Sequence, residues 1–237
     1  MVTVLRLTLR QLATRSRLLV LAVLALLPMG FAMMIVWDTS ATTVADFETI
    51  LLSGMLSGTI APLMVLSVAA VAFGNEIEDR TLANLVLTPL PRWKIVVPKV
   101  GGVIAAAAPF VLGSALLVSL IGFNRDPTAM LAVTVAAVAV LVLYACLFTW
   151  LGLAIRQAMG VGLLYIVLWE GLFSGYVSGI RYLSVRYYGL AVMHGIDPRR
   201  FAEDPHVSLG TALLVMGVTS ALLVWRSTAR LSAMDVP

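Results

Sequence analysis

Six apolar stretches succeed one another along this 237-residue chain, at 18–37, 50–73, 100–123, 128–155, 158–174 and 207–225, and Glu170 is the single charged residue among them. An α-helix rises 1.5 Å per residue, so about 20 residues cross a hydrocarbon core of roughly 30 Å. Five stretches meet that length easily. The fifth, 158–174, is shorter and contains Glu170, so its outer end is predicted to break, tilt or re-enter. Composition agrees: 61% of residues are hydrophobic, 12% are charged and the mean hydropathy is +1.02, whereas a soluble domain carries about a quarter charged residues. The fold class is therefore an all-α integral membrane protein, one transmembrane domain over 1–237 with six spans.

The basic residues orient it. With the N-terminus in the cytoplasm, the inner segments hold Arg6, Arg10, Arg15, Arg17, Arg80, Arg92, Lys94, Lys99, Arg156, Arg226 and Arg230, and the outer ones Arg125, Arg181, Arg186, Arg199 and Arg200. Eleven against five follows the positive-inside tendency, with both termini inside a cell (plasma or inner) membrane. A basic start before a leucine-rich run also describes a signal peptide, but 18–37 exceeds the usual apolar core of one and no small-residue cleavage site follows it. Within 1–17, Val4, Leu5, Leu9 and Leu12 approximate helical spacing opposite Arg6, Arg10 and Arg17. That pattern suits an amphipathic helix on the cytoplasmic surface, and equally a plain cationic topology anchor. Cys146 is the single cysteine and lies in a span, so no intrachain disulfide forms.

Charge concentrates in one place. The segment 76–99, EIEDRTLANLVLTPLPRWKIVVPK, holds seven charged residues, a quarter of the total in about a tenth of the length. Insertion of such groups into a bilayer costs roughly 2.5 to 3.5 kcal/mol each, so the segment lies outside the hydrocarbon. Asn75 and Glu78 have the spacing of a capping box, and Asp79 with Thr81 offers a second helix start. Leu82, Leu85 and Val86 give a short helix one apolar face. Pro89 ends it and Pro91 opens the next, with Arg92 and Lys94 at the membrane surface and Lys99 snorkelling at the start of the third span. A helix presenting both signs of charge fits a protein partner better than an anionic lipid surface.

Glu76-x-Glu78-Asp79-Arg80-Thr81-Leu82, then Leu85, Pro89-x-x-Arg92 and Lys99, resembles the cytoplasmic signature of the type 2 ABC exporter permeases. The resemblance extends to the amphipathic N-terminus, the six spans, the place of this loop and the long outer region between spans five and six. One departure is Arg80, where the family often has glycine. The resemblance implies a cytoplasmic coupling helix in which Glu76, Glu78, Asp79, Arg80, Thr81, Leu82 and Leu85 contact a nucleotide-binding ATPase subunit, while Arg92, Lys94 and Lys99 anchor the loop at the membrane. It also implies two ATPase subunits, a second copy of this permease or a similar one, and export of a hydrophobic or amphiphilic cargo by alternating access. The chain has no G-x-x-x-x-G-K-[ST] phosphate cradle, so ATP and Mg are expected on the partner and no catalytic residue, cofactor or nucleic acid on this chain. The other class open to it is an ATP-independent secondary transporter or channel.

Further features remain. Gly54 and Gly58 in the second span, and Gly171, Gly175 and Gly179 at the end of the fifth, have the small-residue spacing of close helix packing, within one chain or at a dimer seam. The outer region 176–206 interleaves tyrosines with Arg181 and Arg186, as an interfacial belt does; the family resemblance implies short re-entrant helices there. Glu170 is the intramembrane candidate, paired with Arg181 or facing a cationic substrate or a proton. His194 and His206 lack companions for a metal site.

Overall fold

The computed structural model describes residues 2–12, 14–37, 47–78, 91–123, 125–173, 181–201 and 207–233. Those residues are mostly helical and contain no strand. Helices α1 (Val2–Leu12) and α2 (Arg15–Trp37) are followed by a π-helical stretch, Phe47–Ile60, that runs directly into α3 (Ala61–Glu78). Next come α4 (Trp93–Gly122), α5 (Pro127–Ala154) and α6 (Ala158–Leu164), which changes to a second π-helical stretch, Tyr165–Phe173. A 3₁₀ turn at Arg181–Leu183 leads into α7 (Val185–Ile196), and α8 (Leu209–Ser232) closes the chain. Five of these helices are long and apolar enough to cross a membrane: Arg15–Trp37, Gly54–Gly74, Trp93–Gly122, Pro127–Ala154 and Leu209–Ser232. The protein is thus an all-α, multi-pass membrane protein. The predicted fifth span is the exception, an apolar helix Ala158–Phe173 that at 1.5 Å per residue covers at most about 24 Å.

Helix α5 is the axis of the bundle. It packs against α3, α4, α6, α7 and α8, and Ala129, Ala132, Ala136, Ala145 and Gly152 let those neighbours come close. The backbones of α3 and α5 come close at Gly152, where an added Cβ would stand 3.3 Å from the Ala70 carbonyl oxygen and 3.4 Å from that of Ala69. Backbone cannot yield as a side chain can. Gly152→Val is therefore expected to separate α3 from α5 and destabilise by about 1–3 kcal/mol, visible as a lowered unfolding midpoint in detergent. By contrast Gly58 is buried and Gly54 half-buried in the first π-helical stretch, and Gly171 is exposed; Gly175 and Gly179 lie outside the described residues.

The amphipathic N-terminal helix packs on α4 and α3, with Thr8 and Leu12 buried and Leu7 and Arg10 exposed. Arg17 donates to the Gln11 carbonyl at 2.8 Å and fixes the corner into α2. Around the bundle, α2 and α8 turn apolar side chains outward, among them Val23, Met34, Leu214, Val218, Leu222 and Trp225. Such a continuous apolar surface belongs against hydrocarbon or another membrane helix.

At the end of the bundle where α4 meets α5, several contacts join two connections. Asp126 caps α5, accepting from the Thr128 amide at 3.0 Å, with Pro127 at the first helical position. Its other oxygen takes the Arg200 guanidinium at 2.8 Å. Arg200 also lies over the Phe123 ring, which meets Phe201 edge to face at 5.6 Å, and His194 Nδ1 bonds the Phe201 carbonyl at 2.5 Å. The Thr128 amide, and after it Arg200, holds the Asp126 carboxyl below its ordinary range. A depressed carboxylate contributes stability above its unfolded value of about 3.9 and loses it as pH falls through the folded value. Acidification below about pH 4 should lower the unfolding midpoint of the wild type more than that of Asp126→Asn. Equal acid slopes would mean that this clasp contributes nothing.

Candidate functional site

Two places carry chemistry. At the first, α3 continues as one helix through Asn75, Glu76 and Glu78, so these residues end a helix and do not start a new one. The reason is local: the described residues contain no glycine with positive φ, so Gly74 does not break the ladder, and no proline intervenes. Asp79, Arg80, Thr81, Leu82 and Leu85 fall outside the described residues. The chain resumes in a turn at Pro91 and Arg92, with the Lys94 amide donating to the Pro91 carbonyl at 2.9 Å and the Ile95 amide to Arg92 at 3.0 Å. Helix α4 therefore begins seven residues before the predicted third span, at Trp93. Arg92 and Lys94 are half-buried in that first turn, the Lys94 ammonium 5.6 Å from the Trp93 ring centroid.

The early start of α4 changes the position of Lys99. It sits six residues inside the helix, about 9 Å along the axis, and is 1% exposed. It does not snorkel: Nζ donates to the Ala72 carbonyl and lies 4.2 Å from the centroid of the Phe73 ring. A carbonyl has two lone pairs and an aromatic face attracts a cation, so a buried ammonium is held here between α3 and α4. Lysine Nζ thus ties together the two helices from which the segment 79–90 departs.

The second place is Glu170, 0% exposed. A buried carboxylate needs donors at every oxygen. Oε1 accepts from Tyr165 Oη at 2.9 Å and from the Val185 amide at 2.9 Å, and Oε2 accepts from Ser184 Oγ at 2.5 Å. The π-helical stretch makes the first of these possible. In an α-helix, residues five apart point about 140° away from each other, whereas the wider π turn stacks them. Tyr165 and Glu170 are five apart. Ser184 caps α7, its Oγ also accepting from the Tyr187 amide at 3.4 Å, so the carboxylate stands at the N-terminus of a 12-residue helix, where the dipole favours negative charge. Arg181 is exposed in the preceding 3₁₀ turn and makes none of these contacts. The expected Glu170–Arg181 pairing is replaced by hydroxyls and a backbone amide, because the chain enters α7 with its N-terminus, and not Arg181, toward the carboxylate.

Aromatic rings extend this centre inward. Tyr165 meets Phe148 edge to face at 6.2 Å, and Phe148 stacks on Tyr144 at 5.5 Å. Tyr144 is buried and reaches the Ser57 carbonyl at 3.5 Å. On the other side Trp169 Nε1 donates to the Leu183 carbonyl at 3.4 Å. Neighbouring residues Trp169 and Glu170 thus hold the segment 183–185 at two points. Tyr165, Ser184, Trp169 and Lys99's partners were not legible as a site from spacing alone; the serine before the helical run 185–196 was the only available signal.

Among the described residues, no cluster of three or more His, Cys, Asp or Glu could hold a metal ion. No family model matches the sequence, and no curated protein matches it. Fold and site together therefore define the class, a multi-pass helical membrane protein with a buried, hydrogen-bonded carboxylate at the foot of a short helix.

Proposed function

We propose that this chain is the membrane-spanning permease subunit of an ATP-driven transporter of the type 2 ABC exporter kind, moving a hydrophobic or amphiphilic cargo by alternating access. The observation that carries the reading is the charged segment 76–99, with its acidic cluster, Thr81-Leu82, Pro89-x-x-Arg92 and Lys99, set between the second and third long apolar helices. In this reading Glu76, Glu78, Asp79, Arg80, Thr81, Leu82 and Leu85 contact an ATPase subunit that supplies ATP and Mg. Both termini and this loop lie in the cytoplasm, in the cell membrane. Two such permeases, or this one and a similar one, enclose the pathway and bind two ATPase subunits.

Local geometry supports the reading in two ways. Arg92 and Lys94 stand in the first turn of α4, where the helix dipole disfavours cations; lipid phosphates at a cytoplasmic surface offset that and would anchor the loop. Lys99 couples α3 to α4, so a push on the loop moves two helices as one lever. Glu170 pins α7 to the end of the helix Ala158–Phe173, a fixed element against which an outer gate can open.

Purification of the chain from its native membrane in mild detergent tests this. The expected result is a stable complex with an ATPase, whose ATP hydrolysis is sensitive to vanadate and whose association fails when Glu78 and Asp79 are both changed to lysine. A chain that purifies without an ATPase, and supports solute flux in vesicles lacking ATP, would identify a secondary transporter or channel instead.

A further inference from the structure

Beside the Glu170 centre lies a cavity of about 430 Å³, walled by Leu143 and Leu147 of α5, Tyr165 and Trp169 of the second π-helical stretch, Tyr188 of α7 and Thr219 of α8, with smaller contributions around them. Most of its polar side-chain atoms already have partners. Tyr165 and Ser184 donate to Glu170, Tyr188 Oη donates to the Tyr182 carbonyl at 2.8 Å, and Trp169 Nε1 to that of Leu183. What faces the space is therefore mainly ring and aliphatic carbon, with the Thr219 hydroxyl among it. Engineered apolar cavities of about 150 Å³ stay dry and take up benzene, and ligand pockets begin near 300 Å³. An open apolar cleft of this size leaves its walls short of dispersion contacts unless something apolar fills it.

The position says what fills it. The α8 wall is a single helix thick, and the next residues around that helix, Leu214, Val218 and Leu222, are exposed on the outer surface of the bundle. The cavity is thus at the lipid edge. At its rim the 3₁₀ turn places exposed Arg181 directly before Tyr182 and Leu183, which line the space. An exposed arginine on the turn whose next two residues line an apolar cleft matches a phosphate attached to a hydrocarbon chain.

We propose that this cavity is a lipid site, which takes one acyl chain of a membrane phospholipid while Arg181 receives the phosphate. The site does not depend on the transport reading and would hold for a channel as well. Bound there, the chain packs against Tyr188 of α7 and against Trp169, and so braces the short helix whose N-terminus Glu170 holds.

Tryptophan quenching tests it. The full-length chain is reconstituted in phosphatidylcholine vesicles containing a minor fraction of phosphatidylglycerol with dibrominated acyl chains, and the emission of Trp169 is taken as the difference between wild type and Trp169→Phe. The expected result is that Trp169 is quenched at least twofold more than the remaining tryptophans, saturating at a low fraction of brominated lipid. Filling the space with Val215→Phe and Thr219→Leu together should reduce that quenching at least twofold and leave the remaining tryptophans unchanged. Arg181→Gln, at an exposed position that folding does not require, should abolish the preference for the phosphatidylglycerol over brominated phosphatidylcholine. Quenching of Trp169 that rises in proportion to brominated lipid without saturation, as for the other tryptophans, or that survives the filled cavity, would show only ordinary boundary lipid and overturn the proposal. An undiminished preference in Arg181→Gln would overturn the assignment of the phosphate to Arg181.

Discussion

Glu170→Ala will destabilise the protein by about 3–5 kcal/mol, the largest effect expected of any single substitution outside the apolar core. The magnitude follows from what the carboxylate leaves behind. Tyr165 Oη, Ser184 Oγ and the Val185 amide all donate to it, and each hydrogen bond to a charged group contributes about 1.5–3 kcal/mol, less when several are lost as a unit. Ser184 Oγ and the Val185 amide cannot turn to water, because Ser184 is 1% exposed and Val185 is buried, while Tyr165 is half-buried beside them. Glu170→Gln keeps an acceptor for Tyr165 and Val185 and presents an amide to Ser184, whose hydroxyl can accept; it is expected to cost about 1–2 kcal/mol. Reversible unfolding in mixed micelles reads both. An alanine variant within about 0.5 kcal/mol of wild type would contradict the assignment of Glu170 as the pin of α7.

Lys99 gives the second large effect, and its two variants should part company. Lys99→Ala removes a buried side chain, its bond to the Ala72 carbonyl and its contact with the Phe73 ring, a loss of about 2–4 kcal/mol. Lys99→Met keeps most of the volume. Replacing a buried charge with an apolar group of similar size is often neutral, and the Ala72 carbonyl is still placed for a bond within α3, so this variant should unfold within about 1 kcal/mol of wild type. Under the proposed function it should nonetheless transport at least about tenfold less per ATP hydrolysed, a coupling loss of roughly 1.4 kcal/mol. If Lys99→Met is as unstable as Lys99→Ala, the ammonium itself holds the helices. If it couples normally, the α3–α4 tie does not carry the push.

Much of this was legible in residue order. Charge-free runs located the five long helices, because hydrocarbon tolerates little else, although α4 starts seven residues before its run and α8 ends seven residues after its own. Other elements were not legible, each for a physical reason. Asn75 and Glu78 look like the start of a helix, yet the same residues serve equally well inside one, and only the unbroken ladder from Ala61 decides. Lys99 reads as a snorkelling residue when the third span starts at 100; the turn at Pro91 moves the start to Trp93 and the lysine inward. Glu170 was visible as the single charge in a span, but its partners were not. Tyr165 reaches it only through a π turn, and Ser184 and Val185 come from 14 and 15 residues away. The close approaches at Gly152, Gly162 and Gly195 likewise depend on which helix lies opposite, which spacing along the chain does not reveal.

Under the proposed function, the loop between α3 and α4 touches an ATPase. A photo-crosslinking residue placed at Arg80, with a matched one at Arg200 near the opposite end of the bundle, tests it in the native membrane. Irradiation is predicted to join position 80, and not position 200, to a second protein whose sequence contains the G-x-x-x-x-G-K-[ST] phosphate loop. No adduct at 80, or the same adducts from both positions, would contradict the claim.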